Sequence, residues 1–223
     1  ILTKVPFVSQ YFLAGGTAVA LYYGHRLSYD LDFFSPNPLE PNKITQILQK
    51  VGELQVDQIG EGTWLGMLNG VKLSFFVYPY PEVGKEEMWN KVRIANKLDL
   101  ACMKLEAIGS RGIKRDFIDM YYLTREIGLP GVFEAMRQKF IKSNISELHF
   151  MRSLIYFEEA EASEEPTMIH KVNWPEIKRY FEIETKDKEI LKGLIMPSND
   201  KNILSLKLDS GYNIGIEKNK IIK

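Results

Sequence analysis

Apolar and polar positions alternate with two different periods along this chain, and the change of period divides it. A short apolar run, Tyr11 to Ala14, is broken by Gly15-Gly16 and followed by a helical run from Thr17 to Tyr23. A second strand then sets Asp30 and Asp32 on one face and Leu31 and Phe33 on the other, because successive strand residues point to opposite sides. The Pro-rich SPNPLEP reads as a loop, and Asn42 caps a helix through about Val51. Three strand-like runs follow, Leu54–Ile59, Thr63–Leu68 and Val71–Tyr78. Asn69-Gly70 joins the last two, and its tolerance of positive φ makes it a strong hairpin signal. In the last run Val71, Leu73, Phe75 and Val77 share one face, with Lys72, Ser74 and Phe76 on the other. PYPEVGKEEMW reads as a loop and Val92–Ile94 as a short strand. The pattern predicts an α+β domain with a mixed sheet of about five short strands and two helices.

From Asn96 the period becomes helical. Asn96 caps KLDLACMKLEAIGSR, whose buried stripe is Leu98, Cys102, Leu105 and Ile108. Cys102 is expected to be an inert core thiol. Lys104 lies off that stripe with Leu100, Ala107 and Arg111. It reads either as a surface lysine resting its stem on apolar neighbours or as a cation aimed at a triphosphate. Gly109 and Gly112 bracket a break before KRDFIDMYYLTREI, where Asp116 and Asp119 share a face opposite Phe117 and Tyr121. Asp116 is either an acid favoured by its helix dipole, an effect of about 0.3–1 kcal/mol, or a metal-site carboxylate. Helical periodicity continues from about Gly131 to Phe157 and again over Trp174–Ile183, with the acidic EEAEASEEP between them as a solvated linker. From about Glu189 strand alternation returns around a Ser210-Gly211 turn. The expected units are residues 1–95 (α/β), 96–187 (helical) and 188–223 (a β-hairpin tail). That tail is too short to bury a core alone, and is either a fused segment or a hairpin packed on its neighbours.

Composition narrows the classes. The chain has 223 residues, 45% hydrophobic and 26% charged, which suits a globular fold rather than a disordered one. Lys plus Arg and Asp plus Glu are 29 each, so any surface for nucleic acid must be local. One Cys excludes an internal disulfide, and three scattered His give no zinc spacing. No run approaches membrane-spanning length and no signal peptide is visible, so a cytoplasmic protein without a membrane partner is expected.

The candidate chemistry lies between Phe12 and Ser35. Asp30 and Asp32 would sit about 7 Å apart at Cα, two strand steps, at a repulsion of about 2 kcal/mol for an effective dielectric of ~20. A cation between them relieves that cost, and hard oxygen ligands favour Mg²⁺ or Mn²⁺. Gly15 and Gly16 let a phosphate approach the amides at the helix start. Alone, Gly-Gly is a turn and Asp-x-Asp a solvated edge. Together, with thirteen residues between Gly16 and Asp30, they look like the polymerase-beta-type nucleotidyltransferase signature. In many such enzymes a neighbouring strand supplies a third carboxylate; the plausible slot here is Ser74, which cannot replace it.

Several blocks together resemble the AbiEii/AbiGii-type nucleotidyltransferase toxins: FLAGGTAVAL, HRLSYDLDFF, GVKLSFFVYPYP and LDLACMKLEAIGSRGIKRDFIDMYYL, with RSLIYFEEAE and NWPEIKRYF beyond. The resemblance implies a polymerase-beta-like α/β domain followed by a helical domain, with an NTP and Mg²⁺ in the cleft. It implies that Asp30 and Asp32 hold metal, that Gly15, Gly16 and Ser28 line the phosphates, that Lys104 contacts the nucleotide, and that Asp116 completes the acidic set. It further implies transfer of a nucleotide to an RNA acceptor such as tRNA, and a separate antitoxin protein as partner. The rival readings are a relative that binds nucleotide or RNA without chemistry and a partner-binding module. The tail resembles part of the small β-barrel opening the D subunit of the archaeal tRNA-dependent amidotransferase. For the RNA, Lys97, Lys104 and Arg111 recur every seven residues and are followed by Lys114 and Arg115, a ridge read either as an acceptor path or as solubilising charge.

Overall fold

The computed structural model describes residues 5–143 and 145–186, and beyond them the strand residues 195–196, 203–207 and 213–217. A 3-10 turn leads into β1 (Phe12–Ala14), α1 (Gly15–Tyr23) and β2 (Leu31–Ser35). Next come α2 (Pro41–Leu48), β3 (Leu54–Gly60), β4 (Thr63–Leu68), β5 (Val71–Val77), β6 (Glu87–Trp89) and β7 (Val92–Ile94). The helices α3 (Lys97–Ser110), α4 (Lys114–Ile127), α5 (Leu129–Lys139), α6 (Glu147–Ser153), α7 (Glu158–Ala162) and α8 (Trp174–Glu184) follow. The class is α+β.

Seven strands form one mixed sheet in the order β3-β4-β5-β2-β1-β7-β6, so β2 lies at its centre. It runs antiparallel to β1 and parallel to β5, with Asp32 opposite Ser74 and Phe34 opposite Phe76. Strand alternation then does the sorting. One face sends Phe33, Leu73 and Phe75 into the core, where Phe33 and Phe75 stack at 5.4 Å and Trp64 meets Phe75 edge-on at 5.7 Å. Helix α2 covers this side with Ile44 and Leu48, and its Thr45 hydroxyl accepts from the Trp64 indole at 3.0 Å. The opposite face carries Asp32, Phe34, Lys72, Ser74 and Phe76 toward a cleft beneath α3.

The hairpin expected at Asn69-Gly70 forms, with φ of 50° and 77° at the two residues. Four sequence expectations are corrected. Helix α1 starts at Gly15, not Thr17, so the glycines are its first turn rather than a break before it. Asn42 does not cap α2; Pro41 opens that helix, its fixed φ being preorganised for the first turn. The stretch PYPEVGKEEMW contains β6, which pairs with β7 and raises the sheet to seven strands. The acidic run is not simply a linker: α7 buries Ala160, and Glu165 pairs with Lys114.

Beyond α7 the chain returns across the N-terminal half as a strap. Leu27 N–H donates to Thr167 O at 2.9 Å, and Ile169 and His170 N–H donate to His25 O at 2.9 and 3.1 Å. In the tail, β8 (Ile195–Met196), β9 (Ile203–Lys207) and β10 (Asn213–Glu217) form a three-stranded antiparallel sheet. The Ser210-Gly211 turn and the boundary expected at residue 188 lie outside the described residues. No helix among the described residues is long and apolar enough to cross a membrane.

One buried acid ties the loop before β6 to helices α3 and α5. Asn96 caps α3 by accepting from Asp99 N–H at 2.9 Å. The Asp99 carboxylate in turn accepts from Val83 and Gly84 N–H, from the Asn96 amide and from Lys139 Nζ at 2.7 Å. Lys139 and Asp99 are each 1% exposed, so removing either charge strands the other. Lys139→Met is expected to lower unfolding free energy by about 3–5 kcal/mol in urea titration; a loss under about 1 kcal/mol would show that water reaches this pair.

Candidate active site

Two glycines set the floor of the cleft. Gly15 has φ of 68°, and a Cβ there would lie 2.7 Å from Asp32 Oδ2. A Cβ on Gly16 would collide with the Arg26 guanidinium and press on Ser28 Oγ. Both positions therefore need glycine for close approach, not only for turning. The Thr17 hydroxyl fastens the first turn of α1 to the following loop, lying 2.9 Å from Ser28 Oγ and bonding to Asp30 O. The result is one cleft of about 610 Å³ holding Gly15, Gly16, Ser28, Asp30, Asp32 and Lys104. That volume suits a small-molecule ligand.

Asp30 immediately precedes β2 and Asp32 lies within it, two positions on and facing the same cleft. Burial pushes the Asp32 carboxyl above the usual range; the Ser74 hydroxyl pulls it down and the nearby Asp30 charge pushes it up again. Such a carboxylate gains from a cation brought into the cleft. Among the described residues no cluster of three or more His, Cys, Asp or Glu side chains could hold a metal ion. Two carboxylates completed by substrate phosphate oxygens are nonetheless a usual environment for Mg²⁺, and the residues present fit it.

Opposite this acidic pair stands a set of cations held from behind. Arg26 forks onto Asp119, Nε to Oδ1 at 2.7 Å and Nη2 to Oδ2 at 2.8 Å. Lys104 Nζ reaches Asp119 Oδ2 at 2.7 Å and Asp116 Oδ1 at 3.1 Å. Arg111 forks onto Asp116 at 2.9 and 3.1 Å. Both carboxylates are fully buried, whereas Arg26, Lys104 and Arg111 line the cleft. Three cations against two carboxylates leave one positive charge in excess. Burial alone would raise Asp119, but Lys104, Arg26 and His25 outweigh it and hold the carboxyl well below its ordinary range. Asp116 is lowered likewise, Lys104 and Arg111 overcoming its burial.

Asp116, expected to complete the acidic set, thus does not line the cleft. Lys104 is 4% exposed, which removes the surface-lysine reading. The continuous ridge of Lys97, Lys104, Arg111, Lys114 and Arg115 does not form. Lys97 is held by Glu126 at 2.7 Å and lies over the Tyr22 and Tyr23 rings, outside the cleft. Lys114 is buried against Glu165 and Trp174. Arg111 and Arg115 remain on the cleft wall. Arg26, Thr17 and Asp119 are the site-forming residues that sequence reasoning missed. For Arg26 and Asp119 the only available signal was a basic residue ahead of Asp-x-Asp and an acid one turn beyond Asp116.

A Gly-Gly turn entering a helix, beside a carboxylate-bearing central strand of a mixed sheet, defines the nucleotidyltransferase class. Known proteins agree. A family model described as "Nucleotidyl transferase AbiEii toxin, Type IV TA system" matches residues 2–64, and one for the GatD N-terminal domain matches residues 178–223. An uncharacterized protein of Aquifex aeolicus is 35% identical over 185 residues, covering 80% of this chain and 88% of its own. A putative nucleotidyltransferase from H. pylori shares the fold with TM-score 0.51 at 14% identity, over 86% of this chain and 91% of that one. The nucleotidyltransferase toxin MenT4 from Mycobacterium tuberculosis shares it with TM-score 0.55 at 14% identity, over 82% and 78%. The chain is a nucleotidyltransferase. Its likeness to the AbiEii family is carried by residues 2–64.

Asp119→Asn should cost about 3–5 kcal/mol of stability at pH 7, by leaving Arg26 and Lys104 without their shared counter-charge. Because the folded carboxyl lies below its unfolded value of about 3.9, its contribution is present above roughly pH 4 and fades as pH falls toward the folded value. The gap between wild type and variant should therefore narrow between pH 7 and about pH 3 in urea titrations. A gap independent of pH would assign the loss to packing.

Proposed function

We propose that this protein transfers a nucleotide from an NTP to an RNA acceptor with the help of Mg²⁺ or Mn²⁺, as the toxin partnered by a separate antitoxin in the cytoplasm. The observation that carries this reading is the meeting of Asp30 and Asp32 with Gly15, Gly16 and the backed cations in one cleft. Residues 1–95 act as the nucleotidyltransferase unit and 96–187 as the helical unit that supplies Lys104 and Arg111.

In the proposed reaction an acceptor hydroxyl loses its proton to solvent and attacks the α-phosphorus, the bond to the β-phosphate breaks and pyrophosphate leaves. The first amides of α1, with no Cβ at Gly15 or Gly16 to obstruct them, receive phosphate oxygens, and Ser28 lines the same path. Lys104, Arg26 and Arg111 face the negative charge that gathers on the leaving pyrophosphate. Asp116 and Asp119 hold those cations in place before substrate arrives, so little reorganisation accompanies the reaction. Asp30 and Asp32 would hold the divalent cation, which supplies Lewis-acid polarisation of the phosphate when bound.

A second cavity of about 460 Å³ shares Arg26, Ser28, Asp30 and Arg115 with the first and is otherwise walled by Leu27, Tyr29, Ile113 and residues 163–167. We assign the acceptor to this side. Arg115 is exposed, stands at the junction and has no hydrogen-bond or ion-pair partner among the described residues. RNA contact is therefore assigned to Arg115, with Arg111 beside it on the wall of the first cavity, rather than to Lys97 and Lys114.

Asp30→Asn and Asp32→Asn should each reduce label transfer from NTP to total cellular RNA by at least about a hundredfold. Their thermal midpoints should equal or exceed that of wild type, since like-charge repulsion is relieved. Chelation by EDTA should stop transfer, and added Mg²⁺ should restore it. Full activity in either variant would remove the carboxylate pair from the mechanism.

A further inference from the structure

The cleft has a second end whose chemistry the transfer reaction does not use. Because β2 and β5 run parallel in register, the face that sets Asp32 beside Ser74 sets Phe34 beside Phe76 two residues further on. These rings stack at 5.2 Å, and Tyr78 meets Phe34 edge-on at 5.8 Å. All three line the cleft and are partly exposed. Two strand steps of ~3.3 Å place this aromatic floor ~7 Å beyond Asp32. A base joined through its ribose to a phosphate near Asp32 would extend in that direction, and every base has a face that stacks on such rings.

Helix α3 adds one carboxylate to this end. Lys104 and Glu106 are two positions apart, so they diverge by about 200° around the helix axis. Both still reach the cleft, Lys104 toward Asp116 and Asp119, Glu106 toward Tyr78. The Tyr78 hydroxyl donates to Glu106 Oε2 at 2.6 Å. Glu106 has no other hydrogen-bond or ion-pair partner among the described residues, although its side chain is only partly exposed. Lys139, the cation whose charge acts on Glu106, lies 5.0 Å from the Tyr78 ring and is committed to Asp99 and to Pro81 O. A solvated surface acid would not stand over an aromatic floor inside a cleft with one oxygen fixed by a tyrosine.

Resting on the nucleotidyl-transfer reading, we propose that Glu106 and Tyr78 form the base-recognition subsite, selecting nucleoside triphosphates whose base carries an exocyclic amino group over UTP. An ionised carboxylate only accepts hydrogen bonds. Tyr78 occupies one oxygen and orients the group, leaving the other to accept from an amino N–H of adenine, cytosine or guanine. Uracil presents carbonyl oxygens flanking its single N3–H, and one of these would face the carboxylate with both groups acceptors. A site built around an acceptor discriminates against a ligand that sets a carbonyl oxygen where the amino group would be, because the desolvated carboxylate then meets a second acceptor.

The test is equilibrium binding of ATP, CTP, GTP and UTP, each with Mg²⁺, to wild type and Glu106→Gln, with inorganic triphosphate as a base-free control. Wild type should bind at least one amino-bearing NTP about tenfold or more tightly than UTP. Glu106→Gln should bring that ratio to within about threefold of unity by losing the charge-assisted bond, with triphosphate affinity unchanged. Tyr78→Phe keeps the ring but frees the carboxylate, and should reduce the ratio less. UTP binding as tightly as the others in wild type, or a ratio indifferent to Glu106→Gln, would overturn the subsite while leaving nucleotide binding intact. Failure of all four NTPs to bind would instead overturn the transfer reading and this subsite with it. Should Glu106→Gln not fold, the wild-type ratio and Tyr78→Phe still decide the matter.

Discussion

Asp119 is fully buried and yet accepts from two cations and a histidine, and the geometry of the cleft depends on that one carboxylate. Two side chains as long as Arg26 and Lys104 would ordinarily sample many rotamers in a water-filled cleft. Anchored from behind, they present fixed positive charge on the cleft wall without needing a substrate to order them. Asp116 does the same for Arg111 and shares Lys104, so the two acids one helical turn apart operate as a single brace. The brace also supplies the reason for Gly16: the Arg26 fork occupies the space where any side chain at that position would begin.

Signals that act through local backbone geometry were legible in the sequence. Asn69-Gly70 makes its hairpin through two positive φ angles, and Asn96 caps α3 through a bond to a residue three positions on. Gly15, Gly16, Asp30 and Asp32 could be placed together because a short strand–helix–strand unit leaves few ways to connect them. What escaped depends on partners far apart in the chain. Arg26 and Asp119 are 93 residues apart, and no periodicity in either segment announces the other. The basic ridge failed for the same reason. Helical spacing aligned Lys97, Lys104 and Arg111, but Glu126, the buried acids and Glu165 decide separately where each cation or its neighbour goes. β6 was hidden because it is three residues long and wholly exposed, so burial imposes no alternation on it.

The tail follows different rules from the rest. Its strand alternation was legible, and β8, β9 and β10 pair only with one another rather than extending the seven-stranded sheet. The matched family changes there as well, with the GatD N-terminal model beginning within α8. The catalytic reading draws nothing from these residues, since every group that lines the two cavities lies before residue 168.

The strap that pairs Thr167 and Ile169 with the backbone beside Arg26 also bears on the order in which the protein comes into being. A ribosome delivers the Gly-Gly turn and Asp-x-Asp early, but Asp119 only after a further stretch of chain and the strap later still. Until then Arg26 has neither the carboxylate it forks onto nor the backbone bridge that seats its loop. The nascent chain therefore carries the acidic half of its cleft before the opposing cations are in place. Competence of the cleft thus waits on Asp119 and then on a strap made more than a hundred residues after the Asp-x-Asp strand.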